Sequence, residues 1–164
     1  MDHPVAAELA WAVTRAGHAT LRFNFSGVGA SAGQPGGAEA QTEDVDAALR
    51  LLEENTGTVA VAVASLGGSA ATVLTVAARH PALVGLALVS PASVQVEDFA
   101  RLPKPLLVVV GAEEALPRAA LAAAVGEAGG QLVVVPGADA RFVRNLPEVG
   151  RAVARWLARL GPSG

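Results

Sequence analysis

A chain of 164 residues, 52% hydrophobic and 16% charged, is long enough for one ordinary core and too apolar to stay disordered, yet no apolar run approaches the roughly 20 residues of a membrane span. A net charge of −3, one lysine (Lys104) and 4% aromatics leave no basic stripe or stacking platform for nucleic acid, and zero cysteines remove disulfides, thiolate metal sites and thiol nucleophiles. The expectation is one soluble domain over residues 1–164, with no membrane or nucleic-acid partner; because its first residues form neither a signal nor a transit peptide, it is placed in the cytoplasm.

In chain order, Pro4 to Ala16 predicts a helix with Val5, Leu9, Ala12 and Val13 on one face, Asp2 as cap and Gly17 as its end. Thr20 to Phe25 reads as a strand, and Ser26 to Ala40 as a glycine-rich loop. Thr42 is expected to cap a helix reaching about Glu54, with Val45, Leu49 and Leu52 facing inward. Val59 to Ala64, apolar and β-branched, reads as a buried parallel strand running into a helix from Ala70 to Arg79, which His80-Pro81 ends. Val84–Val89, Leu106–Val110 and Leu132–Val135 read as three more buried strands. Between them lie a proline-rich loop from Ser90 to Pro105 and an alanine-rich helix from Pro117 to Glu127. From about Pro147 a last helix buries Val149, Val153, Trp156, Leu157 and Leu160, and its outer row of Arg151, Arg155 and Arg159 is a solvated face.

Strands alternating with helices predict a three-layer α/β/α sandwich around a mainly parallel sheet of about five strands. Ligands of such sheets gather at the carboxyl ends of the strands, which here places the loops after residues 25, 64, 89, 110 and 135. Ser65 stands where a buried strand meets a helix, followed by Gly67 and Gly68. A serine on such a turn has its hydroxyl lifted off the sheet beside the first free N–H groups of the helix, the geometry of a nucleophile elbow. The spacing is partial, since Val63 occupies the place of the usual preceding glycine. The same turn, Ser65 to Ser69, suits a small anion.

Other chemistry fits poorly. Gly27-Val-Gly-Ala-Ser-Ala-Gly33 follows a predicted strand but leads into more loop, so a dinucleotide pyrophosphate would find no helix end. Three scattered histidines and no cysteine give no metal site, and no cofactor is expected. Glu43, Asp44 and Asp46 are charges near a helix amino end, which the dipole favours.

Arg22-Phe-Asn-Phe-Ser-Gly-Val-Gly-Ala-Ser-Ala-Gly33, the Ser65-Leu-Gly-Gly turn, Ala78-Arg-His-Pro81, Gly111-Ala-Glu-Glu114 and Gly137-Ala-Asp-Ala-Arg-Phe142 together resemble the small bacterial α/β-hydrolases related to dienelactone hydrolase. The resemblance covers nearly the whole chain. It implies Ser65 as nucleophile, the Leu66 N–H as one oxyanion donor with Gly67 beside it, and Glu114 at the place of the triad acid, where an aspartate is usual. It also implies a histidine in the turn after the last strand, and Ala140 stands there. His18 and His80 precede strands and so lie at the opposite edge of the sheet; His3, ahead of the first helix, is the one histidine the topology brings to the edge of Ser65.

Relatives carry a further strand and a glycine-rich loop ahead of a stretch like Met1-Asp-His-Pro4, and that loop supplies their second oxyanion donor. Either a late start or a shortened domain accounts for the difference, but neither accounts for Ala140. The resemblance therefore implies a degenerate hydrolase-fold protein without efficient turnover, binding a small ester or anion, or a protein. A weak esterase acting through Ser65 is the alternative. Association into a homo-oligomer is expected through the sheet edge.

Overall fold

A computed structural model describes residues 3–57, 60–92, 94–99 and 105–161. Helices α1 (Pro4–Arg15) and α2 (Ala38–Thr56) precede strand β1 (Val61–Leu66), a single 3₁₀ turn (Gly67–Ser69) and α3 (Ala70–Ala77). Then come β2 (Leu83–Val89), a short α4 (Val96–Phe99), β3 (Leu106–Gly111), α5 (Arg118–Glu127), β4 (Gln131–Val135) and α6 (Leu146–Arg159). The four strands pair in sequence order, all parallel.

The layering follows from which side chains the central strands send to each face. Leu83, Leu86, Leu88, Leu106, Val108 and Val110 meet α2, α3 and α5 through Val45, Leu49, Val73, Val76, Leu121 and Val125. Ala87, Val89, Leu107 and Val109 meet α1 and α6 through Val5, Leu9, Val149, Val153 and Trp156. Both faces of β2 and β3 are thus dry, which is why these strands read as continuous apolar runs. At about 1.5–3 kcal/mol for each fully buried large aliphatic side chain, the two sheet faces supply most of the drive to fold. None of the described helices is long and apolar enough to cross a membrane.

Several elements depart from the sequence expectation. Thr20 to Phe25 joins no strand ladder among the described residues, so the sheet has four strands where five are expected. The rings of Phe23 and Phe25 are in edge contact at 6.0 Å, and hydrogen bonds tie the segment on both sides. Thr20 hydrogen-bonds Thr14 at 2.9 Å, and the Asp44 carboxylate accepts both the N–H and the hydroxyl of Ser26 at 2.8 Å.

Helix α2 begins at Ala38, with Gly37 as its cap, and not at Thr42. The Thr42 hydroxyl donates back to the Ala38 carbonyl at 2.7 Å, a bond that an interior threonine makes and a cap does not. His3 is the cap residue of α1, while the expected cap Asp2 lies outside the described residues, as does Val59 at the start of the expected strand. The loop from Ser90 to Pro105 is not wholly irregular, since α4 delivers Phe99 into the core beside α5.

Candidate active site

Strand β1 runs through Ser65 to Leu66 and the chain turns at Gly67, whose φ of +54° is a conformation glycine takes without steric cost. Ser65 therefore lies within the strand, in register with Leu88, two residues before the corner that the sequence spacing assigns to it. It is 4% exposed, and its Oγ has no hydrogen-bond partner among the described residues. Leaving a buried hydroxyl unmatched costs about 1–3 kcal/mol, so the fold does not place one there for stability.

Ser69 closes the corner. Its hydroxyl donates to the Leu66 carbonyl at 2.8 Å and accepts the Leu66 N–H at 3.2 Å, so the expected oxyanion donor is already engaged within the turn. The Gly67 carbonyl accepts the Ala92 N–H at 3.1 Å, which ties the turn to the loop after β2.

That loop opens with Ser90, whose φ of +44° is sparsely populated by side-chain-bearing residues. Its N–H donates to the Val109 carbonyl at 2.8 Å and its hydroxyl to Glu114 Oε1 at 2.6 Å. The same carboxylate oxygen accepts the Gly111 N–H at 2.5 Å. Glu114 thus stands at the carboxyl edge as the resemblance implies, but one of its oxygens is committed to Ser90 and Gly111. Sequence reasoning gives Ser90 no role; the signal available for it is a Ser-Pro pair directly after a buried strand, at the edge where ligands gather.

The turn after β4 is pressed against the same place. A side chain at Gly111 would collide with the Ala138 carbonyl, the Ala138 carbonyl accepts the Glu113 N–H at 2.9 Å, and the Val135 carbonyl accepts the Ala112 N–H at 2.9 Å. Asp139 folds the turn on itself, its Oδ1 accepting the N–H groups of Arg141 at 3.1 Å and Val143 at 3.3 Å. Ala140 is exposed on this turn, next to the Glu114 loop, and brings no group that could take a proton.

His3 is exposed at the start of α1 and does not hydrogen-bond Ser65. His18 follows α1, and His80 precedes β2 at the amino edge of the sheet. The structure therefore brings Ser65, Ser90, Glu114 and the 137–140 turn to one edge, without an imidazole in hydrogen bond to Ser65. Two grooves flank α1, and neither includes Ser65, Ser90 or Glu114; the chemistry of the edge, not concavity, marks it as the candidate site.

A parallel sheet between two helical layers, with a serine at the end of one strand and a carboxylate at the end of a later one, defines an α/β-hydrolase fold. Residues 4–155 match the family model for serine aminopeptidase, S33, and the chain belongs to that family. No curated protein matches it. Among solved structures, an α/β serine hydrolase homologue from Coxiella burnetii is 30% identical at a TM-score of 0.80, covering 94% of this chain and 76% of its own. An α/β serine hydrolase without a lid from Xanthomonas campestris is 25% identical at a TM-score of 0.83, covering 100% of this chain and 77% of its own. A protein of unknown function from Agrobacterium tumefaciens shares the fold at a TM-score of 0.84 and 21% identity, covering 97% of this chain and 78% of its own. The resemblance read from the sequence is borne out at the level of family and fold.

Proposed function

We propose that this chain is a degenerate hydrolase-fold protein, a pseudoenzyme without efficient serine-hydrolase turnover, that holds a small ester or anion at the carboxyl edge around Ser65. In this reading Ser65 and Glu114 are the remains of a catalytic pair, and the protein works in the cytoplasm. One observation carries it: Ser65 Oγ is buried with no hydrogen-bond partner among the described residues, hence with no base there to receive its proton. A serine hydroxyl is a weak nucleophile without such a base, and losing one member of a triad lowers turnover by about 10⁴ to 10⁶. Supporting it, Glu114 is engaged by Ser90, the Leu66 N–H by Ser69, and position 140 is an alanine.

The test is time-dependent labelling by a fluorophosphonate probe, read by intact mass on the chain and on Ser65→Ala. Such probes need an activated serine more than a matching substrate. The expected result is no label on either protein at high probe concentration. Label that appears on the chain and is lost in Ser65→Ala overturns the reading and establishes the alternative, a weak esterase acting through Ser65.

A further inference from the structure

Gly67 carries the left-handed backbone of the corner after β1, with φ of +54°, and has Ser65 two residues before it and Ser69 two residues after. Small residues on both sides of the apex suit a nucleophile corner, since strand and helix pass closest to each other there. An apex at Ser65 would have Gly67 after it but Val63 before it, a branched side chain packed against the layer of α2 and α3. Alternation along β1 sends Val61, Val63 and Ser65 to that same side, where Ala70 at the start of α3 is fully buried. Ser65 therefore fills the small-residue place ahead of the apex, which accounts for its buried Oγ. The apex itself is open: among the described residues, a Cβ at Gly67 would meet no atom within 4 Å.

We infer that the corner has slipped two residues along the chain, from Ser65 to Gly67, under the steric demand of Val63, and that position 67 is where a side chain would meet a ligand. Position 67 so assigned deepens the degenerate reading proposed above, on which it rests: a glycine holds the acting place, so a nucleophile is missing there as well as a base. Hydrogen bonds pin the slipped corner. Ser69 closes it onto Leu66, and the Gly67 carbonyl holds the Ala92 N–H. A group placed at 67 stands at the first turn of the 3₁₀ segment that leads into α3, where helix-start N–H groups favour negative charge. A thiol at 67 should therefore ionise more readily than a free one, whereas a thiol at 65 should stay inert behind the corner.

Because the chain has no cysteine, a single cysteine reports its own position. The test is the rate of alkylation by iodoacetamide, read by intact mass, on Gly67→Cys, Ser65→Cys and Val63→Gly/Ser65→Cys, each shown by circular dichroism to be folded. Gly67→Cys should react about 100-fold or more faster than Ser65→Cys. Val63→Gly, which lets the corner return to 65, should raise the rate of Ser65→Cys about tenfold or more. Equal rates at 65 and 67 overturn the inference, and a Ser65→Cys rate unmoved by Val63→Gly overturns the part given to Val63. Should the strained Gly67→Cys fail to fold, the variants at 65 decide: Ser65→Cys reacting as fast in buffer as in urea overturns the inference. A reactive Ser65→Cys with no fluorophosphonate label on the parent chain sinks the slip alone, whereas label on the parent's Ser65 sinks the degenerate reading with it.

Discussion

Ser90 donates its hydroxyl to Glu114 Oε1 at 2.6 Å from a backbone with φ of +44°, so the residue that opens the β2 loop engages one oxygen of the carboxylate proposed above as the remains of a catalytic pair. The same oxygen takes the Gly111 N–H. The pair ties the end of β2 to the turn that follows β3. Strained backbone at a side-chain-bearing residue persists only where surrounding contacts over-determine it, and here the Val109 and Glu114 bonds do so.

Removing the carboxylate should therefore destabilise the fold. Glu114→Ala leaves the Gly111 N–H and the Ser90 hydroxyl unmatched at once, a loss of about 1–3 kcal/mol. Ser90→Gly removes the hydroxyl but relieves the left-handed backbone, so its effect should be smaller than that of Ser90→Ala, which removes the bond and keeps the strain. Urea unfolding of the three variants, compared by midpoint at constant slope, reads this order. An Ala and a Gly variant of Ser90 with equal midpoints would show that the φ of this residue stores nothing.

At Ser65 the expectation has the opposite sign. Its hydroxyl is buried and has no hydrogen-bond partner among the described residues, so Ser65→Ala deletes an unsatisfied group without opening a sizeable cavity and should raise stability by about 1 kcal/mol. Most substitutions of buried residues destabilise, which makes a gain diagnostic. It would mark Ser65 as held against stability for the sake of a ligand or a reaction, whereas a loss would mean that the hydroxyl is matched in solution.

The two helical layers and the four strands between them are legible in the sequence because each central strand is an apolar run bounded by turn residues and each long helix repeats its apolar positions. The run Leu83–Val89 cannot be anything but a buried element at that length. Thr20 to Phe25 has a strand's alternation, yet alternation says only that a segment suits a ladder, not that a neighbouring strand is there to complete it. The corner after β1 is displaced for a local reason. Gly67 takes the left-handed turn and Ser69 closes it, so the strand keeps Ser65 and Leu66. The Ser90–Glu114 bond is beyond any periodicity, since it joins residues 24 positions apart that only the parallel pairing of β2 and β3 brings together.

Gly111 sets how closely the end of β3 approaches the turn after β4. A side chain there would collide with the Ala138 carbonyl and stand 2.6 Å from that of Asp139, and both are backbone atoms that cannot rotate away. Gly111→Ala should cost about 1–3 kcal/mol, as overpacked sites do, and should loosen the 136–140 turn before it unfolds the sheet. Amide hydrogen exchange provides the check: faster exchange at Glu113, whose N–H is held by the Ala138 carbonyl, with β2 unchanged. Uniform acceleration through β2 would mean that the turn and the sheet open as one unit.

Ala140 invites the direct trial of restoring a histidine, and the geometry argues that this change alone falls short. The turn lies against the Glu114 loop, so Ala140→His places an imidazole near the carboxylate, but Oε1 is shared by Ser90 and Gly111 and the Leu66 N–H is held by Ser69. Without an oriented imidazole and a free oxyanion donor, ester hydrolysis by Ala140→His should stay within about tenfold of the parent, because the parts of a triad act as a unit. Ala140→His with Ser90→Ala removes the hydroxyl that competes for the carboxylate and should exceed both single variants by more than their separate effects predict. Hydrolysis of an activated acetate ester, with Ser65→Ala in each background as control, measures it. A full return of Ser65-dependent turnover in Ala140→His alone would mean that the histidine outcompetes Ser90 for Glu114, and that the loss of one side chain is all that separates this chain from an active hydrolase.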